Sequence, residues 1–153
     1  MKLLSPKRMA QYDDYAIHTW GIPSSVLMEN AGRNTYRLVK EKYLIERKKM
    51  LIVCGKGNNG GDGFVIARYA LRDGYNTVVI LLGRMKDLKG DAALNMRLYL
   101  SIGGNIHECP KHINKLKSEL IHTDIVVDAI FGTGLSKPVT GTEKKAIDEI
   151  NKS

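Results

Sequence analysis

The residues of this chain best equipped for chemistry lie between Leu51 and Phe64, where the apolar run LIVC breaks into GKGNNGGDGF. Gly55, Gly57, Gly60, Gly61 and Gly63 free the backbone for positive φ or close approach, so their N–H groups can turn toward one anion. Asn58, Asn59 and Asp62 set amide and carboxylate oxygens among those donors, as hard ligands for alkali or alkaline-earth ions or as turn and cap groups. A second stretch, VVDAIFGTGLSKP from Val126 to Pro138, repeats the pattern. Asp128 ends its apolar run, and Gly132, Thr133, Gly134, Ser136 and Lys137 offer backbone donors, hydroxyls and a cation to a phosphate. Together the two stretches point to an anionic, nucleotide-like ligand.

Elements of alternating type must position these loops. Strands are expected at Met50 to Cys54, Thr77 to Leu82 and Ile125 to Ala129, with a short extended segment near Asn105 to Glu108. Helical spacing predicts helices at about Gly61 to Arg72, Gly90 to Ile102, His112 to Leu120 and Thr142 to Asn151. Such alternation is the signature of a parallel sheet covered on both faces, where ligands bind beyond the carboxyl ends of the strands. Both polar loops fall on that rim and define one site.

Two helices precede the first strand. Ser5 and Pro6 open one, with Met9, Tyr12, Ala16 and Ile17 as its stripe, ending near Trp20-Gly21. Pro23 opens a longer one that carries Val26, Leu27, Ala31, Leu38 and Val39 toward Leu44.

The glycine loop can be ranked against known phosphate loops. A Walker loop needs lysine and then serine or threonine after its last glycine, whereas Gly60-Gly61 is followed by Asp62-Gly63. Gly55, Gly57 and Gly60 match the spacing of the dinucleotide fingerprint, but Leu81-Leu82-Gly83-Arg84 supplies no acid for ribose hydroxyls. Arg84 is either an acceptor for a 2′-phosphate or an exposed loop residue. A conventional dehydrogenase is therefore not favoured.

Composition bounds the rest. At 153 residues and 43% hydrophobic content the chain fits one domain. Its net charge of +8 suits phosphate ligands or a solubilising surface. The densest basic cluster, Arg47 to Lys49, has no interleaved aromatics, so nucleic-acid binding is not expected. Cys54 and Cys109 form no metal-thiolate motif, and Cys54 reads as buried filler at a strand end. No apolar run reaches membrane-spanning length, and a reducing cytoplasm is the expected compartment.

With the segments placed, the chain resembles the N-terminal YjeF family, the NAD(P)H-hydrate epimerases. The likeness runs through Met9 to Ala16, Gly21-Ile22-Pro23, Leu27 to Gly32, Cys54 to Ala67 and Val127 to Leu135. It implies a three-layer α/β/α Rossmann-like fold with a mostly parallel sheet, commonly a homodimer. It implies interconversion of the 6R and 6S forms of hydrated NADH or NADPH, NADHX or NADPHX, in concert with an NAD(P)H-hydrate dehydratase. By resemblance, Asn58, Asn59, Gly60, Gly61 and Asp62 contact the substrate, Gly132, Thr133, Gly134, Leu135, Ser136, Lys137 and Pro138 make a second contact, and Asn59 with Asp128 holds potassium (K+). Asp62 is the expected acid/base group. The family continues into a D-x-P-S-G strand that supplies a further substrate contact and potassium ligand. Residues 1–153 are thus read as a single YjeF N-terminal-like domain, incomplete at its C-terminal end. The alternative is a non-catalytic nucleotide-binding or protein-interaction module that keeps the fold.

Overall fold

A computed structural model describes residues 4–43 and 49–153; Leu44, Arg47 and Lys48, named above, lie outside them. Two helices, α1 (Pro6–His18) and α2 (Ser24–Tyr43), lead into strands β1 (Lys49–Cys54), β2 (Asn76–Leu81), β3 (Asn105–Glu108) and β4 (Ile125–Ala129). Helix α3 (Asn58–Arg72) joins β1 to β2, α4 (Gly90–Ser101) joins β2 to β3, α5 (Asn114–Leu120) joins β3 to β4, and α6 (Gly141–Ile150) follows β4. All strand pairs are parallel, in the order β3-β2-β1-β4. The chain leaves β1 toward β2 on one side and comes back to β4 on the other. That reversal opens a crevice at the carboxyl ends of β1 and β4.

Burial follows from this order. Central β1 is covered on both faces, and Leu51, Ile52, Val53 and Cys54 are fully buried, as a continuous apolar strand in a parallel sheet requires. Met50, Ile52 and Cys54 pack toward Tyr36 of α2, Phe64 and Ala67 of α3 and Tyr99 of α4. Leu51 and Val53 pack instead with Leu116 of α5 and Ala146 of α6. Burying Phe64 alone stabilises the fold by about 2 kcal/mol. The three expected layers are present.

Three local expectations need correction. Helix α3 begins at Asn58, not Gly61, so Gly60, Gly61 and Gly63 are helical. The glycines of this segment have no positive φ; those that do are Gly21, Gly74, Gly90, Gly103 and Gly141. What the segment needs from glycine is close approach. A Cβ on Gly60 would stand 2.0 Å from the carbonyl oxygen of Gly55, and one on Gly55 would stand 2.2 Å from that of Ile130.

Second, the inner face of α2 is Met28, Gly32 and Tyr36, whereas Val26, Ala31 and Leu38 are exposed. Gly32 sets that face because Val65 of α3 occupies the space of its missing side chain, 2.5 Å from an added Cβ. Third, α1 buries only Ala16 of its predicted stripe; Met9 and Tyr12 are exposed.

Candidate functional site

The two polar loops meet because their strands are hydrogen-bonded neighbours. The Gly55 N–H donates to the Ala129 carbonyl at 3.0 Å, and the Asn59 amide nitrogen donates to the Phe131 carbonyl at 3.0 Å. Between the loops lies a pocket of about 840 Å³. Its floor is the segment Gly55, Lys56, Gly57, Asn58, Asn59 and Asp62; its other wall is Ile130 through Lys137, with Asp13 from α1 and Glu143 from α6 closing the ends. A smaller apolar depression of about 260 Å³ beside Arg68, Tyr69 and Ile102 lies away from these loops.

The floor presents unused donors. Gly57 caps α3 in extended conformation with no side chain to bond the first turn, and the first loop-to-helix backbone bond runs from Gly61 to the Gly57 carbonyl. The N–H groups of Asn58 and Asn59, at the positive end of the helix dipole and in the pocket lining, are therefore open to an anion.

Asp62 sits one turn further, half-buried, with no hydrogen-bond partner for its carboxylate among the described residues. Burial, and then the negative charge of Asp13, push its pKa up to about 6. A carboxyl in that range can both give and take a proton near neutrality. Cys54, by contrast, is fully enclosed beneath the loop and its thiol is pushed far up by burial, so it is inert filler.

Of the residues expected at the site, Asn58, Asn59, Asp62, Gly132, Thr133, Gly134, Leu135, Ser136 and Lys137 line the pocket. Gly60 and Gly61 do not; both are buried, and an added Cβ on Gly61 would meet the Met28 sulfur at 2.5 Å. Pro138 lies just past the wall. Asp128 is exposed, off the pocket wall, and its Oδ1 accepts from the Ile130 N–H at 2.9 Å. Strand alternation puts it on the face of Val126, toward the α6 layer.

Sequence reasoning passed over Lys56, Ile130, Phe131, Asp13 and Glu143 as site residues. Ile130 and Phe131 stood inside the quoted second segment and were detectable there. Glu143 had no local signal, since the fold of the loop before α6 brings it in.

This architecture defines an α/β protein of the doubly covered parallel-sheet class, with a polar pocket at the carboxyl edge of the sheet. The family described as YjeF-related protein N-terminus matches residues 24–153, and the chain belongs to it. It is 40% identical, over its whole length, to a bifunctional NAD(P)H-hydrate repair enzyme Nnr of Moorella thermoacetica, of which it covers 30%. It is 35% identical over 96% of its length to an NAD(P)H-hydrate epimerase of Rhodopirellula baltica, covering 59% of that protein. With one from Oenococcus oeni the identity is 37%, over 98% of this chain and 68% of the relative. The crystal structure of yeast ynu0, YNL200c, superposes with a TM-score of 0.88 at 25% identity, over 99% of this chain and 65% of that one. The chain thus spans between about a third and two thirds of the relatives it matches. Among the described residues no helix is long and apolar enough to cross a membrane.

Proposed function

We propose that this chain forms the epimerase site of nicotinamide-cofactor repair, interconverting the 6R and 6S forms of NADHX or NADPHX. The observation that carries this reading is the convergence of the Asn58–Asp62 segment and the 132–137 loop on one pocket of about 840 Å³ that holds a carboxyl raised to about 6. The relatives' names supply the substrate. C6 of the hydrate is a hemiaminal carbon bonded to nitrogen and hydroxyl. Protonation of that hydroxyl by Asp62, with the ring nitrogen's lone pair displacing it as water, leaves a planar iminium. Re-addition of water to either face, its proton returning to Asp62, restores the hydrate in either configuration. The first-turn N–H groups of α3 and Lys137 bind phosphate and orient the ring, and Phe131 and Leu135 offer apolar surface to it.

Potassium belongs to the same reading. Asn59 and Asp128 would hold it: Asn59 spends its amide nitrogen on Phe131, which leaves a carbonyl oxygen for an ion, and Asp128 keeps a second carboxylate oxygen beyond the one bonded to Ile130. Bound there, the ion would supply positive charge against the substrate's phosphates. A dehydratase acting on one epimer is the functional partner. The two free, buried thiols suit a reducing cytoplasm.

Chiral separation of 6R and 6S hydrates tests the proposal. Starting from one purified epimer, the protein should produce the other faster than the spontaneous rate, more so with potassium than with sodium or lithium. A single epimer that persists at the spontaneous rate would remove the activity.

A further inference from the structure

Asp13 has no assigned part in the chemistry, yet α1 carries it to the pocket that Asp62 also lines. We infer that Asp13 is a positioning residue for Asp62: its carboxylate, delivered on α1 to the same pocket, enlarges the share of Asp62 that holds a proton in the resting site and can enter the reaction as an acid. This rests on the epimerase reading above.

The placement follows from the helix. Ala16 is the residue that α1 buries, and Asp13 lies three positions before it, on the same face. Docking Ala16 therefore swings Asp13 inward. Its neighbour Asp14 turns outward and pairs along the helix with His18 at 3.5 Å. Asp13 has no ion pair or hydrogen bond among the described residues, and neither has the carboxylate of Asp62.

Two carboxylates in one pocket do not both ionise freely, and the deeper one holds its proton to higher pH. Asp62 is the deeper; Asp13 is exposed. Burial and then the Asp13 charge raise Asp62 to about 6. The other charged groups on the pocket wall are Lys56, Lys137 and Glu143. The stem of Lys56 lies across Gly83 at the end of β2, so its position is tied to the far side of the floor. On α2, which packs against α3, Glu29 is engaged with Arg68 and with the Tyr69 hydroxyl; α4 puts no charged side chain on the wall.

The test is a carbon-13 NMR titration of the Asp62 carboxyl in the substrate-free protein, beside the pH profile of kcat. Asp13→Asn should lower the midpoint by about half a unit, the size expected of one partly screened like charge, and shift the acid-form limb of kcat equally. Asp13→Glu should restore both. An unchanged midpoint in Asp13→Asn overturns the inference, and so does a Glu variant that falls as far as Asn, which would assign the effect to α1 packing. If Asp13→Asn does not fold, the unmodified protein decides: raising ionic strength should lower the Asp62 midpoint, and a midpoint indifferent to salt overturns the coupling. Failure of the epimerase reading is distinguishable, because it appears as a single epimer persisting at the spontaneous rate with the unmodified protein while the carboxyl titrations stand.

Discussion

A carboxyl that donates to a leaving hydroxyl must be protonated when substrate arrives and ionised afterwards. The surroundings of Asp62 move it toward that condition, with burial the larger cause of its rise to about 6 and the charge of Asp13 the smaller, so that a minority of molecules hold the proton near neutral pH. Asp62→Asn keeps the shape and removes the proton, so kcat for epimerisation should fall about 100-fold or more with substrate affinity nearly unchanged. Chiral separation of the epimers with a parallel binding titration measures both; full rate at unchanged affinity would end the role proposed for Asp62. The polar side chains that line the pocket were readable from residue type, because Asn58, Asn59 and Asp62 crowd a short segment in numbers that turn geometry alone does not require. Asp13 was less readable as a partner for Asp62. It depends on how α1 docks through Ala16, and that is a packing outcome rather than a periodicity. Asp128 was readable as a strand-end acid, but its distance from the pocket wall follows from strand parity.

At the scale of elements, the site is held by the seams of α3. Gly32 of α2 admits Val65, Gly61 admits Met28, and Gly63 admits Cys54 and Ala129, so α3 sits close to α2 and to the sheet at once. The tightest contact is Gly60 on the Gly55 carbonyl, backbone against backbone, with no flexible end to move aside. Gly57 faces open space at ordinary φ. The two glycines should therefore separate cleanly: Gly60→Ala should destabilise by about 3 kcal/mol or more, and Gly57→Ala by less than about 1 kcal/mol. Urea denaturation of both variants checks this. Equal costs would mean that conformational freedom, not close approach, explains the glycines. Strand positions and layer order were legible because apolar runs and helical spacing are local. The start of α3 was not, since glycine's low helix propensity masks a turn that tertiary contacts impose. The inner face of α2 was also hidden, because it is chosen by Gly32, a residue without hydropathy to announce it.

For the whole molecule, carboxyls at opposite ends of the sheet pull the pH dependence of stability in opposite directions. Glu119, near the amino end of β1, pairs with Lys115 and Lys49, each at 2.5 Å, and hydrogen bonds first from Lys115 and then from Lys49 hold it down to about 2. Asp73, bonded by Lys40 at 2.8 Å and by the Tyr36 hydroxyl at 2.7 Å, is lowered in the same sense. A carboxyl lowered on folding stabilises above its unfolded value and loses that contribution as pH falls through the folded one. For Glu119 the window therefore runs from the ordinary 4.5 down to about 2. Asp62 is raised, so its contribution is full below the ordinary 3.8 and is lost as pH rises through about 6. These two groups together should then place the stability maximum near pH 4, between the ordinary 3.8 of Asp62 and the ordinary 4.5 of Glu119, with a decline from there to about 6; that maximum is far below the isoelectric point near 9.5. Two variants separate the limbs. Glu119→Gln should lower Tm at pH 6 and flatten the acid limb, its cost about 1 to 2 kcal/mol because part of the ion-pair energy is screened. Asp62→Asn should raise stability at pH 8 by roughly 1 kcal/mol, discounted for its partial exposure, and change little at pH 4. Thermal unfolding followed by circular dichroism across pH 3 to 9 reads both limbs, and a decline between about pH 4 and 6 that keeps its slope in Asp62→Asn would place that dependence on another group.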